Sequence, residues 1–318
     1  MLSTLEILLP VFGLIFAGFV CRKLGLLGTS AESELNRFVV WLALPALLFD
    51  IMAHATWHQL YQPAFVATFA LSCAGVFVLI LAVRLLSGRH LADASVDAIA
   101  GSYPNTGYIG FPLCLIAFGP VSQTPTTIAT ILVACVLFAI AIVLIEVGLQ
   151  TERAPHRLAL KVVGSLARNP LIVSPIVGVL VASAHVTLPQ SAETFLKLLG
   201  GAASPCALVS LGLFLAEKRE TQTEAEAGKS SASLLLTGTK LLLQPALTWW
   251  LAARVFALSP VLVEMAVVLA ALPTGTGPFM LAEFYRREAH ITSRTILLST
   301  LGSLVTLSLL LLFMRHGA

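Results

Sequence analysis

The stretch SYPNTGYIGFP, residues 102–112, interrupts an apolar segment with residues that break helices. A second copy of the pattern, LPTGTGPF at residues 272–279, lies near the end of the chain, again inside an apolar segment. Pro104 and Pro273 each lack an amide donor and clash with the preceding turn, while the neighbouring glycines permit backbone conformations that other residues avoid. Because unsatisfied backbone groups are costly in lipid, both breaks must be completed by protein or by a water-filled cavity. Two such interrupted segments in corresponding positions are typical of the binding site of a membrane transporter.

The composition is that of an integral membrane protein. Of the 318 residues, 58% are hydrophobic and 11% are charged, and the mean hydropathy is +0.93, whereas soluble proteins carry roughly 25% charged residues. The formal net charge of +3 is accounted for by the basic residues of cytoplasmic loops, so no nucleic-acid partner is expected. The five cysteines lack the paired spacing of a zinc site or a disulfide framework, and we predict neither a metal nor a cofactor.

Hydropathy predicts an all-α protein with ten membrane-spanning helices of about 20 residues each. The predicted spans are residues 5–22, 34–53, 62–86, 95–118, 126–149, 169–186, 193–216, 232–257, 260–284 and 292–314. Sixteen of the 19 Lys and Arg residues fall on alternate connections, which leaves only Lys197, Arg254 and Arg315 on the opposite side. Since the basic side faces the cytoplasm, the sequence predicts an even number of spans with both termini on the outer face.

Proline positions indicate an internal repeat. Prolines of the first half recur in the second half at nearly constant offsets of 160 to 169 residues: Pro10 with Pro175, Pro45 with Pro205, and Pro104 with Pro273. Halves of five spans enter the membrane from opposite sides, so the repeat must be inverted. We therefore predict two inverted five-helix repeats, residues 1–155 and 156–318, with crossing broken helices; chance placement of the prolines is the alternative.

Each break is expected to present helix ends at the middle of the membrane. The half-helix that begins after a break carries a partial positive charge at its N-terminus, so two crossing breaks can hold an anion without a full charge. The predicted substrate-binding residues lie at the breaks and in span 8: Pro104, Asn105, Thr106, Gly107, Tyr108, Thr274, Gly275, Thr276 and Gln244. Alternatively, the Asn and Thr side chains only cap the broken backbone.

Ionisable residues within the spans are the candidates for coupling transport to an ion, because charges in lipid are costly and mark function by default. These candidates are Asp50, Glu146, Glu283 and Lys240. The three acids lie near span ends, so the alternative for each is a place at the membrane interface. Lys240 would either attract an anion from the cytoplasmic side or extend its amine to the membrane surface.

Four segments carry a recognisable pattern, namely LNRFVVWLALPALLF (35–49), PNTGYIGFPL (104–113), KLLLQPALTW (240–249) and ALPTGTGPF (271–279). They resemble the auxin efflux carrier family, and in particular its bacterial members, which include malonate and malate permeases. The resemblance covers the whole chain and implies the ten-helix inverted-repeat architecture shared with bile acid sodium symporters and sodium/proton antiporters. In that architecture spans 1, 2, 6 and 7 form a scaffold, and spans 3–5 and 8–10 form a mobile transport domain.

The resemblance also implies substrate binding at Asn105 and a homodimer formed through the scaffold. We further expect a bacterial inner-membrane location, where the alternating basic residues place both termini on the periplasmic side. Plant members carry an aspartate and a lysine in span 3, whereas residues 66–80 contain neither. Proton handling by those two residues is therefore not carried over to this chain.

These observations predict a secondary active transporter that moves a small organic anion through the lipid bilayer by alternating access. The expected anion is a mono- or dicarboxylate such as malonate, or an auxin-like acid, and coupling to protons or to sodium stays open. The alternatives are a symporter or exchanger of another solute class on the same fold, and a sensor that binds without transporting. No nucleotide-binding G-x-x-x-x-G-K-[ST] motif and no G-x-S-x-G or H-E-x-x-H motif occurs, so we expect neither an ATP-driven pump nor an enzyme.

Overall fold

The computed structural model is helical and describes residues 2–55, 61–150, 155–216 and 225–317. Within these ranges the helices are α1 (Leu2–Lys23), α2 (Ala31–Ala53), α3 (Pro63–Leu86), α4 (Leu91–Ser102), α5 (106–118), α6 (Pro120–Leu149), α7 (Pro155–Leu166), α8 (Pro170–Ser183), α9 (Gln190–Ala216), α10 (225–255), α11 (Pro260–Ala271), α12 (Gly277–Phe284) and α13 (Ala289–Gly317).

Several of these helices can cross a membrane. Five described helices are long and apolar enough to do so, namely α2, α3, α6, α9 and the part of α13 from Ala289 to Met314. A sixth span results if Ala159–Leu166 and α8, which meet at 72°, are taken together. The chain is therefore a multi-pass membrane protein. The count of ten spans and the inverted repeat stay predictions.

Both segments with Pro and Gly are broken at the expected positions. α4 ends at Ser102, and α5 starts with a π-helical turn at Thr106. α11 ends at Ala271, and α12 starts at Gly277. The intervening residues are non-helical because a proline stands in each gap and cannot continue the hydrogen-bond ladder.

The helices fall into two sets that pack mainly among themselves. In the first set, α1 lies along the second half of α9, and α2 packs against both α8 and α9. The second set contains α3 to α6 and α10 to α13, in which α4 packs on α3 and α6 while α10 packs on α11 and α13. The broken helices thus belong to the second set, and α12 also contacts α2 of the first set.

Glycines bring the helices of the first set close together. A Cβ atom at Gly18 of α1 would overlap the carbonyl oxygen of Val209 in α9, and one at Gly212 would overlap that of Ile15. A Cβ atom at Gly178 of α8 would lie 2.7 Å from the carbonyl oxygen of Phe49 in α2. Small residues at such interfaces let membrane helices approach closely, and the resulting van der Waals contact stabilises the pair.

The α1–α9 contact gives a stability prediction. We expect Gly18→Ala to lower the melting temperature of the detergent-solubilised protein, because backbone must move to admit the methyl group, at a cost of about 1–3 kcal/mol. Gly13→Ala is the matched control, since it lies on the same helix and, apart from its own turns of that helix, no described atom would come within 4 Å of its Cβ. Equal melting temperatures for the two variants would contradict this account of the interface.

Candidate functional site

The two breaks are joined by reciprocal backbone hydrogen bonds. The amide of Asn105 donates to the carbonyl oxygen of Pro273 at 2.9 Å, and the amide of Gly275 donates to the carbonyl oxygen of Tyr103 at 3.0 Å. Together they form an isolated antiparallel bridge. Each break therefore satisfies a donor and an acceptor of the other, as a chain interrupted within a membrane requires.

Thr274 and Gly275 hold the bridge in place. The amide of Thr274 donates to Ser299 Oγ of α13 at 3.1 Å, and its hydroxyl donates to the carbonyl oxygen of Ala100 in α4 at 2.9 Å. A side chain at Gly275 would lie 2.9 Å from the ring of Tyr103, so this close approach requires glycine. Both residues are structural parts of the crossing and neither lines the cavity beside it.

The C-terminal ends of α4 and α11 are held by side chains of α10. Gln244 Nε2 donates to the carbonyl oxygen of Ser102 at 3.1 Å, and Lys240 Nζ donates to that of Ala270 at 2.6 Å. Both side chains are fully buried. Gln244 does not line the cavity described below, in contrast to the prediction, because its amide caps a helix end. Lys240 has no exposed surface, so its amine does not extend to the surface of the protein, which corrects that alternative.

The opposite, N-terminal ends of α5 and α12 contribute to a cavity of about 140 Å³. From the crossing its lining residues are Tyr103, Pro104, Asn105, Thr106, Gly107, Thr276 and Gly277. From α2 and α9 they are Val39, Leu44, Leu47, Ile51, Ala203 and Ala207. The lining is completed by Phe111, Thr130, Ala134 and Met280. The cavity thus lies between the two helix sets. Its lining from α2 and α9 is apolar, and most of its polar side chains come from the crossing.

Three polar side chains of the cavity are available to a ligand. Asn105, Thr106 and Thr276 are 6%, 2% and 5% exposed, and their side chains form no hydrogen bond with any described residue. No charged side chain lines the described part of this cavity. The side chain of Tyr108 lies outside the described parts of the chain. Of the predicted binding residues, the cavity therefore brings together Pro104, Asn105, Thr106, Gly107 and Thr276.

A second cavity of about 360 Å³ shares Ile51, Phe111 and Thr130 with the first. The coupling candidate Asp50 lines it, and Asp50 Oδ1 lies 3.2 Å from Nδ1 of His54. Its other charged lining residue is Lys197, which pairs with Glu193 at 3.4 Å. Charged groups are thus found next to the crossing cavity and outside it.

The remaining coupling candidates lie away from both cavities. Glu146 of α6 accepts a hydrogen bond of 2.7 Å from the hydroxyl of Tyr285, and Asn169 Nδ2 donates to the same hydroxyl oxygen at 3.3 Å. Glu283 is half-buried in the last turn of α12. These contacts tie the end of α12 to α6 and to the start of α8.

Asp97 is absent from the candidates predicted from the sequence, although it is fully buried in α4. Its carboxylate accepts a hydrogen bond of 2.6 Å from Arg84 Nε of α3. The available signal is an acid inside the predicted fourth span. From the sequence alone, Arg84 is grouped with the basic residues of a connection between spans. Its pairing with Asp97 cannot be predicted, because a contact between two helices is a tertiary contact.

The helices are apolar, and two broken segments, α4–α5 and α11–α12, cross beside a cavity. These features define a multi-pass membrane protein of the transporter class. The family model described as membrane transport protein matches residues 3–311, and the chain belongs to this family.

Similar proteins extend over nearly the whole chain. A Rhizobium meliloti protein named "Putative malonate transporter" is 33% identical over 313 residues, covering 98% of this chain and 96% of its own. Auxin efflux carrier component 8 of Arabidopsis thaliana is 22% identical, covering 93% of each chain. An uncharacterized transporter of Methanothermobacter thermautotrophicus is 25% identical, covering 97% of each. The resemblance to auxin efflux carriers and bacterial malonate permeases is thereby confirmed.

The contact between Thr274 and Ser299 gives a prediction about the bridge. Ser299→Ala leaves the buried amide of Thr274 without an acceptor, so we expect the free energy of unfolding to fall by about 1–3 kcal/mol, measured as a lower melting temperature. Ser303→Ala is the control, because that buried hydroxyl on the same helix donates only to Thr300 of its own helix among the described residues. If Ser303→Ala lowered the melting temperature as much as Ser299→Ala, the loss would not be specific to the hydrogen bond between Thr274 and Ser299.

Proposed function

We propose that this chain is a secondary active transporter that carries a small organic anion across a bacterial inner membrane by alternating access. One observation carries the proposal: the N-terminal ends of α5 and α12 open onto one cavity, whereas the C-terminal ends of α4 and α11 are capped by Gln244 and Lys240. The positive ends of the helix dipoles are thus available to a ligand, and helix N-termini are ready-made anion sites.

The cavity favours a small ligand with a single negative charge. Its volume of about 140 Å³ lies below the range of about 300–1,000 Å³ that is usual for drug-sized ligands. One carboxylate can meet the helix ends together with Asn105, Thr106 and Thr276. A second ionised carboxylate would face the apolar wall of α2 and α9, where a charge without hydrogen bonds is strongly unfavourable. The proposed species is therefore a monocarboxylate or the singly protonated form of a dicarboxylate such as malonate.

The helix packing supports a scaffold and a moving domain. The proposal has ten spans in two inverted halves, residues 1–155 and 156–318, with α1, α2, α8 and α9 as scaffold. In an inverted repeat, span 1 corresponds to span 6 and span 7 corresponds to span 2. The contact between spans 1 and 7 (α1 and α9) then corresponds to the contact between spans 6 and 2 (α8 and α2), and both pairs of helices pack closely. The cavity is lined by both helix sets, so movement of one set against the other would expose it to either side of the membrane in turn.

The topology and the assembly are part of the same proposal. The alternating basic residues support periplasmic termini, and the likeness to a bacterial relative named for malonate supports the inner membrane and the substrate class. A homodimer through the scaffold follows from the family resemblance.

Asn105 gives the direct test of the site. The test is uptake of labelled malonate by proteoliposomes under an imposed pH or sodium gradient. We expect Asn105→Ala to lower the affinity for malonate roughly tenfold or more, because a hydrogen bond to a charged group contributes about 1.5–3 kcal/mol. The control is Asn36→Ala, a buried asparagine of α2 that lines neither cavity. Unchanged affinity in a folded Asn105→Ala protein would show that Asn105 does not bind the ligand. If the unaltered protein took up no carboxylate at all, the proposal of an organic anion as substrate would be wrong.

The charge of the ligand can be tested with a matched pair of compounds. Malonamate keeps one negative charge at every pH at which malonate loses its second proton. We expect the affinity for malonate to fall as pH rises through that ionisation, whereas malonamate binds with little change and thereby controls for titration of the protein. Malonate that binds equally well or better as the dianion would show that the site takes two charges.

A further inference from the structure

The capped side of the crossing is a site in its own right. α4 and α11 end there with carbonyl groups that carry the partial negative charge of a helix C-terminus. In carriers built from broken helices, such carbonyl ends commonly coordinate the sodium ion or proton that drives transport. What occupies this position therefore bears on the coupling ion.

The occupant in this chain is the amine of Lys240. Its side chain has no exposed surface, and Nζ lies 2.6 Å from the carbonyl oxygen of Ala270 in the last turn of α11. Among the described residues it forms no ion pair with a carboxylate. A buried ammonium without a carboxylate partner needs another source of negative charge.

The helix ends can supply that charge. Each C-terminus is equivalent to roughly −0.5 of an elementary charge, so the ends of α4 and α11 together balance roughly one ammonium group. Gln244 stands four residues after Lys240, on the same face of α10, and links that face to Ser102 at the end of α4. Gln244 Oε1 is buried with no hydrogen-bond partner in the described part of the chain.

We infer that Lys240 is a built-in cation that takes the place of a coupling sodium ion at the crossing. The carbonyl end of α11 is already occupied by the tethered ammonium, so the anion cavity on the other side is organised without a metal ion. This inference deepens the proposed function: if the chain carries an anion, it does so independently of sodium, which leaves the proton or the anion gradient itself as the driving force.

The position can be tested without a substrate. Lys240→Ala removes the amine and leaves space among the carbonyl groups, whereas Lys240→Met removes the charge and fills the space. We expect the melting temperature of Lys240→Ala to be lower than that of the unaltered protein. It should rise when sodium chloride replaces choline chloride at equal ionic strength, because an ion bound to the native state stabilises that state. The unaltered protein and Lys240→Met should show no such sodium-specific rise.

Two results would overturn the inference. One is a sodium-specific rise in the melting temperature of the unaltered protein, and the other is a folded Lys240→Ala variant that sodium does not stabilise. If neither alanine nor methionine is tolerated, the response of the unaltered protein still decides. Lys23→Met, at an exposed lysine of α1, controls for loss of a positive charge elsewhere.

Transport gives the second measurement. Uptake of labelled malonate by the unaltered protein should be the same in sodium and in choline, and should be lost in Lys240→Met but retained in Lys23→Met. Uptake that requires sodium contradicts the inference while leaving the proposed function intact. No uptake in either salt contradicts the proposed function, whereas the melting temperatures still report on the cation position.

Discussion

The structure depends on the requirement that backbone groups in a membrane find partners within the protein. The two broken helices meet this requirement by pairing with each other through the amides of Asn105 and Gly275. Neither break could exist alone in lipid without leaving an amide and a carbonyl group unsatisfied. The bridge thereby fixes four half-helices at one point and determines where their charged ends lie.

The surrounding helices then separate the two kinds of helix end. Gln244 and Lys240 of α10 cap the negative ends, and Ser299 of α13 accepts from the bridge itself. The positive ends are left to the cavity, where Asn105 and Thr276 add polar side chains without partners among the described residues. The proposed site for a negative ligand therefore consists of helix dipoles and neutral donors, and the amine of Lys240 lies on the other side of the crossing.

Local signals were sufficient to predict the breaks and much of the cavity wall. Proline and glycine act on the backbone of their own turn, so the gaps after Ser102 and Ala271 follow from the sequence, as does the position of Asn105 and Thr106 at the first gap, where they line the cavity. The roles of Gln244 and Lys240 could not be predicted, because they depend on which face of α10 meets the crossing. The π-helical turn Thr239–Leu243 sets that face, and hydropathy does not reveal such a turn. The pairing of Asp97 with Arg84 was missed for the related reason that it joins two helices.

The two walls of the cavity have different freedom to diverge. Side chains such as Leu47 and Ala203 line the cavity from α2 and α9 and take no part in the bridge. Substitutions there can alter the shape offered to a ligand while the crossing keeps its hydrogen bonds. The same pair of broken helices can thus be kept while a few apolar side chains change. Relatives named for chemically different acids can therefore share one crossing and differ in the residues that face it.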